Sequence, residues 1–259
     1  MGPGKSRVSH FALKVCIDRV LPEATRAEAA RLAIQEDPRN TPAPGLSTSP
    51  IELALLTGNK WRIGKTLHVV FLEGDPQVVE KVEEIARKWT KYANLKFEFG
   101  TGSDPEIRIA FVENGASWSY VGTEATTVGK DQPTMQLAGL TPTTSDREYR
   151  EVVLHEFGHA IGCVHEHQSP ASEIRWNKGA VYEFYRKYAK WSRSEVDDYV
   201  LGKYLGTVTQ FSKFDPKSVM VYPIPKELTI DGFEAGSNDK LSSTDKDFIR
   251  TTYPFTDRF

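Results

Sequence analysis

The chain has 259 residues, of which 39% are hydrophobic and 26% charged, and at that size roughly 70–75% of the unfolded surface is buried on folding without disulfide or metal staples. Its 33 basic and 35 acidic residues leave a net charge of −2, which supplies no basic field for nucleic acid. No apolar stretch reaches the roughly 18 residues of a membrane span, and two cysteines, Cys16 and Cys163, are too few for a secreted disulfide framework. The opening MGPGKSRVSHFALKVCIDRV has no continuous apolar core and no small-residue cleavage site, so it does not read as a signal peptide. A cytoplasmic or non-classically exported protein is the expectation.

In chain order, residues 23–36 (EATRAEAARLAIQE) form an alanine-rich helix, and the prolines at 38, 42, 44 and 50 then make 37–50 an extended connector. TLHVVFL at 66–72 reads as a buried strand. Asp75-Pro76 starts a helix whose Val78, Val82, Ile85 and Trp89 share one face. Strands follow at 95–99 and 106–112, with shorter ones at 117–121 and 134–137. This order favours a twisted mixed sheet with a crossover helix. Ser145-x-x-Glu148 has the form of a capping box, opening a helix that is apolar on most sides and that Gly162 is placed to end. Further helices are expected over 178–191, 194–205 and 243–252.

The chemistry is concentrated in HEFGHAIGCVHEH, residues 155–167. His155 and His159 lie one helical turn apart and project from the same face at chelating distance. Glu156 sits beside that face. Gly162 can adopt a positive φ and turn the chain sharply, bringing His165 back as a third nitrogen ligand. Three protein ligands with an open fourth position describe a catalytic zinc site rather than a structural one. Five fixed positions arise by chance on the order of once in 10^5 chains of this length, which sets aside the reading of three unrelated histidines.

HExxHxxGxxH is similar to the zinc signature of the metzincin metalloproteases, and the trailing Glu166-His167 resembles the astacin branch. SVMVY at 218–222 resembles the Met-turn of that family, with Met220 as its methionine and Tyr222 as a possible additional zinc ligand and catalytic hydroxyl. SWSYVG at 117–122 resembles the rim of the astacin cleft, and LSSTDKDFIRTTYP resembles its closing helix. The resemblance implies an α+β, two-lobed metzincin fold: a twisted, mostly parallel five-stranded sheet with two helices above an irregular helical lower lobe. On that fold 1–60 is an N-terminal extension, 61–162 the first lobe with the active-site helix, and 163–259 the second lobe with the third ligand and the Met-turn. It also implies a zinc-dependent endopeptidase, read as a monomer, that binds a protein or peptide along the rim strand. Glu156 would act as general base on a water activated by Zn2+. The alternatives are a zinc hydrolase of narrow specificity that tailors one partner peptide, and a metal-binding module without turnover.

Several positions depart from the astacin pattern. The two disulfides usual in that branch are missing, Val221 stands where a histidine precedes the Met-turn tyrosine, and Glu166 lacks an evident cationic partner. Cys16 has two readings: a thiolate that fills the open zinc position, or a lone packing cysteine, the commoner role. The sequence of the matrixin cysteine switch is absent around it. Cys163 reads as small core filler, Asp75 as a helix cap, and SEVDDYV at 194–200 as a solvated face. Lys226 either lines the pocket for the residue after the scissile bond, favouring an acidic side chain, or is a solvated surface lysine.

Overall fold

The computed structural model describes residues 16–17, 19, 21–42, 58–100, 102–203 and 214–255. Residues 43–50 of the expected connector and 204–205 of an expected helix lie outside them. Helix α1 is Glu23–Glu36. Strand β1, Thr66–Phe71, leads to α2, Pro76–Ala86, which Asp75 caps by accepting from the Gln77 N–H at 2.8 Å. Then come β2 (Lys96–Phe99), β3 (Ile107–Val112), β4 (Trp118–Ser119) and β5 (Met135–Ala138). The central helix α3 is Asp146–Ala160, with the Ser145 hydroxyl accepting from the Glu148 N–H. Helices α4 (Lys178–Tyr188), α5 (Arg193–Val196) and α6 (Ser243–Thr252) complete the set. No helix among the described residues is long and apolar enough to cross a membrane.

The strands form one sheet in the order β2-β1-β3-β5-β4. All neighbours are parallel except β4, which runs antiparallel to β5 and stands at the edge. The parallel strands need cover on both faces, and their apolar residues supply it. Leu67, Val69, Ile107, Ile109, Met135 and Leu137 are buried in one core with Val78, Val82 and Ile85 of α2 and with the apolar side chains of α3. Residues Val152 to Ala160 of α3 are buried without a break, as expected of a helix enclosed on all sides. This is the α+β architecture expected from the sequence, with the mostly parallel five-stranded sheet.

Some elements are shorter than the sequence pattern suggested. The strand expected over 117–121 is only two residues long, because Val121 opens a 3-10 turn over Gly122–Thr127, with its N–H on the Glu124 carboxylate. The helix expected to reach 191 stops at Tyr188, and Lys190 beyond it takes a left-handed φ of 63°. The helix expected over 194–205 is one turn, α5, followed by a wide turn over Asp197–Leu201.

Three buried contacts fix α3 in place. The Trp61 indole N–H donates to the Ala160 carbonyl and the Trp89 indole N–H to that of Leu154, at 2.8 and 2.9 Å. The Tyr253 hydroxyl donates to the Ile161 carbonyl at 2.8 Å. Gly158 faces Met220: a Cβ there would stand 2.4 Å from the Met220 sulfur. Gly158→Ala therefore overpacks the contact between α3 and the 218–222 turn. Urea unfolding is expected to register a loss of about 1–3 kcal/mol.

Candidate active site

His155 and His159 project from one face of α3, and Gly162, at φ +95°, turns the chain so that His165 returns to them. The turn is held where the Glu166 N–H donates to the Met220 carbonyl at 2.9 Å. All three imidazoles are buried. Their Nε2 atoms form a triangle with every edge 3.2 Å. The other ring nitrogens explain why. His155 Nδ1 lies 2.7 Å from the Val219 carbonyl and His159 Nδ1 lies 2.9 Å from that of Cys163. A carbonyl oxygen only accepts, so Nδ1 of both rings carries a proton, which leaves Nε2 as the nitrogen that can present a lone pair to a metal. Burial, reinforced by neighbouring His155, holds His165 well below the usual imidazole range.

Three imidazole Nε2 atoms converging on one point suit a cation. Two zinc–nitrogen bonds of roughly 2.0–2.1 Å at a tetrahedral angle separate their nitrogens by about 3.3–3.4 Å, close to the 3.2 Å observed. The donor set thus fits zinc in both chemistry and spacing.

The fourth direction is taken by Cys16. Its Sγ lies 3.5 Å from His159 Nε2 and 3.5 Å from Glu156 Oε2. One donor atom from each of Cys16, His155, His159 and His165 lies within 4.8 Å of the others. The reading of Cys16 as a lone packing cysteine is therefore corrected. What brings it here is backbone pairing: Cys16 bridges Ser117, just before β4, in parallel, and the Ile17 N–H donates to the Ser117 carbonyl at 3.1 Å. The Arg19 guanidinium stacks over the Trp118 ring at 4.4 Å. Behind it, α1 packs on the Gly122–Thr127 turn. Asn40 clamps α1 to the body through the Ala33 and Lys60 carbonyls, both at 2.8 Å.

Glu156 is buried beside the triad. Tyr222 lies against His165, ring centroids 4.4 Å apart, and its hydroxyl donates to the Cys16 carbonyl. Glu166 accepts from the Asp215 backbone N–H at 3.0 Å, and no cation among the described residues pairs with it. Burial, with Asp245 and Asp215 nearby, pushes its carboxyl up to about 7. Cys163 is buried in the core, as expected, and burial pushes its thiol up. Lys226 is exposed on a short turn, so its solvated reading holds.

Sequence reasoning missed Asp245. Its carboxylate accepts from the Ser218 hydroxyl at 2.6 Å, the Val219 N–H at 3.1 Å and the Ser242 N–H at 2.9 Å, pinning the 218–222 turn to the start of α6. Burial raises its carboxyl above the usual value while these donors pull it back. The Ser242-x-x-Asp245 spacing was a visible capping signal; its reach to the turn was not.

The family model for Astacin (Peptidase family M12A) matches residues 57–254. The chain belongs to the astacin family. Membership makes it a zinc-dependent metalloendopeptidase that acts on proteins or peptides, on the two-lobed metzincin fold. It is 41% identical to myroilysin in two solved structures: one gives a TM-score of 0.74 over 76% of this chain and 97% of that one, the other 0.60 over 76% and 86%. High choriolytic enzyme 1, a hatching-enzyme zinc protease of the medaka fish Oryzias latipes, is 16% identical, with a TM-score of 0.53 over 76% of this chain and 96% of that one. That likeness is one of fold alone. No curated protein matches the chain.

A readout independent of activity checks the four-donor site. The cobalt-loaded full chain is expected to absorb in the near ultraviolet through thiolate-to-metal charge transfer. Cys16→Ala should lose that band while keeping one metal ion per chain by elemental analysis. A band unchanged in Cys16→Ala would remove Cys16 from the site.

Proposed function

We propose that His155, His159 and His165 hold the catalytic zinc of an endopeptidase in which Glu156 is the general base, and that Cys16 keeps the full chain latent. One observation carries this reading: Cys16 Sγ stands 3.5 Å from both Glu156 Oε2 and His159 Nε2, where an attacking water would have to sit. Zinc bound there supplies Lewis acidity, drawing charge from a carbonyl oxygen and lowering the pKa of a water to roughly 7. Glu156 takes the proton of the attacking water and delivers it to the leaving amine. The Tyr222 hydroxyl, released from the Cys16 carbonyl, donates to the developing oxyanion or joins the metal ligands. An extended substrate pairs antiparallel with the edge strand β4.

Cys16 blocks each of these parts at once. Its thiolate completes a closed four-donor set, which leaves no position for water. Its sulfur faces the general base, and its carbonyl occupies the Tyr222 hydroxyl. The same closed set favours a second reading, a metal-binding module without turnover, because structural zinc sites are closed in this way. The buried carboxylate of Glu156 at the triad favours the enzyme, since a structural site has no use for a base.

Two variants separate the readings. Cys16→Ala in the full chain is expected to turn over casein or a quenched peptide library at least about tenfold faster than the parent chain, in a chelator-sensitive way. An inert, zinc-loaded Cys16→Ala protein would favour the module. Adding Glu156→Ala to that variant should keep the zinc and lower turnover by about 10²–10⁴; unchanged turnover would remove Glu156 from the mechanism.

A further inference from the structure

His167 is a buried imidazole that the proposed chemistry leaves unused, although it follows His165 by two residues. Its ring lies flat against that of Tyr222, with centroids 4.3 Å apart and planes 29° from parallel. His165 meets the same phenol from another side, steeply, at 65°. Tyr222 is itself buried, so packing rather than solvent decides where its hydroxyl can travel. Two stacked rings keep their dispersion contact when they slide along the shared face and lose it when they part.

His167 is held from outside the motif. Its Nε2 lies 3.2 Å from the Tyr199 carbonyl and, facing an atom that only accepts, is the donor. The neighbouring Gln168 amide donates to the Asp198 carbonyl at 2.8 Å. Lys203 donates to the carbonyls of His167 and Ser172, both at 3.0 Å. Asp197 and Asp198 are exposed, so the solvated reading of that segment holds for its acidic side chains, while the carbonyls of Asp198 and Tyr199 receive the two donors. Both carbonyls belong to the wide turn over Asp197–Leu201, a rare form that is frequent at functional sites.

We infer that His167 is a positioning residue for Tyr222: its ring is the face along which the phenol moves on leaving the Cys16 carbonyl, and the 197–201 turn fixes that face. The inference rests on the endopeptidase reading above, in which the Tyr222 hydroxyl serves the reaction. A residue that only filled this space would have no need of nitrogen, whose burial costs free energy that an apolar ring avoids. The hydrogen bond to Tyr199 gives what filling does not, a fixed ring plane. A phenol stacked on a plane that turns would carry its hydroxyl out of line with the reacting atoms.

Kinetics in the zinc-loaded full chain carrying Cys16→Ala, on a quenched peptide, test this. His167→Ala is expected to lower kcat by about 10²-fold, with KM changed less than about threefold and one zinc kept per chain. His167→Gln keeps a donor and most of the volume but not the ring, and should lose turnover with it. His167→Phe restores the face without its tether and should recover about tenfold of the loss. In a Tyr222→Phe background, His167→Ala should cost less than about threefold, because the hydroxyl it positions is gone. A fluorotyrosine label gives a readout apart from turnover. The Tyr222 fluorine line, identified by its loss in Tyr222→Phe, should move between the parent chain and Cys16→Ala, and in both chains should shift again when His167→Ala removes the stacked ring. An equal cost in both backgrounds, a loss carried by KM or by zinc content, full turnover in His167→Ala, or a fluorine line indifferent to His167 once Cys16 is replaced would overturn the positioning role and leave the endopeptidase reading intact. The absence of any chelator-sensitive cleavage by the Cys16→Ala chain would overturn that reading and this inference with it.

Discussion

Three imidazoles whose Nε2 atoms meet at 3.2 Å gain nothing from one another without a cation at their centre, so the surrounding structure has to hold them there without help from the rings. Much of the molecule serves that end. Carbonyls of Val219 and Cys163 fix two rings by their opposite nitrogens, and both carbonyls come from backbone that is itself pinned. Val219 belongs to the turn that Asp245 holds through three hydrogen bonds with Ser218, Val219 and Ser242. Met220 of the same turn packs on the bare backbone of Gly158, which lies between the first two histidines. Trp61, Trp89 and Tyr253 meanwhile take up the carbonyls at the end of α3 and just beyond it. Ring orientation is thus set by backbone groups held in a packed core, and a change far from the metal site reaches it through the turn.

How much of this the sequence disclosed depends on the range of the interaction concerned. The ligand histidines, Glu156 and the turning Gly162 lie within eleven residues, and their roles follow from helix period and glycine stereochemistry, so they were legible. The parallel strands were legible as apolar runs, and α1 and α6 had the bounds their patterns suggested. What stayed hidden was long-range or carried by backbone. The 3-10 turn that cuts β4 short depends on Glu124 meeting the Val121 N–H, and the left-handed Lys190 that follows α4 has no side-chain signature. Asp245 reads as an ordinary helix cap until the 218–222 turn is brought to it.

Cys16 is the sharpest instance, because 140 residues separate it from Glu156 and no motif surrounds it. Low cysteine content alone favours a packing role, which is why the commoner reading was the wrong one. Its placement depends on three things that do not share a sequence pattern: a backbone bridge to Ser117, the Arg19 guanidinium over Trp118, and an α1 anchored through Asn40. Each is ordinary, and only together do they deliver a thiol to the open side of three imidazoles.

The direction of that delivery bears on the latency proposed for the full chain. On the proposed reading a substrate would pair antiparallel with β4, whereas the Cys16 segment runs parallel to it, so its peptide bonds would be reversed relative to the orientation in which Glu156 and Tyr222 would act. The segment offers sulfur to the site where a substrate would offer a carbonyl, and gives its own carbonyl to the Tyr222 hydroxyl. Among the described residues, its hold on the β4 edge is the bridge to Ser117 with one backbone hydrogen bond and the Arg19 guanidinium over the Trp118 and Tyr120 rings, while the clamp on α1 is separate and further back. On the proposed reading, withdrawal of the Cys16 thiolate would therefore free the cleft without disturbing α1 or the sheet. On that reading, a few weak contacts at the edge strand, added to one strong donor, would make a block that is firm while the sulfur is in place and reversible once it leaves.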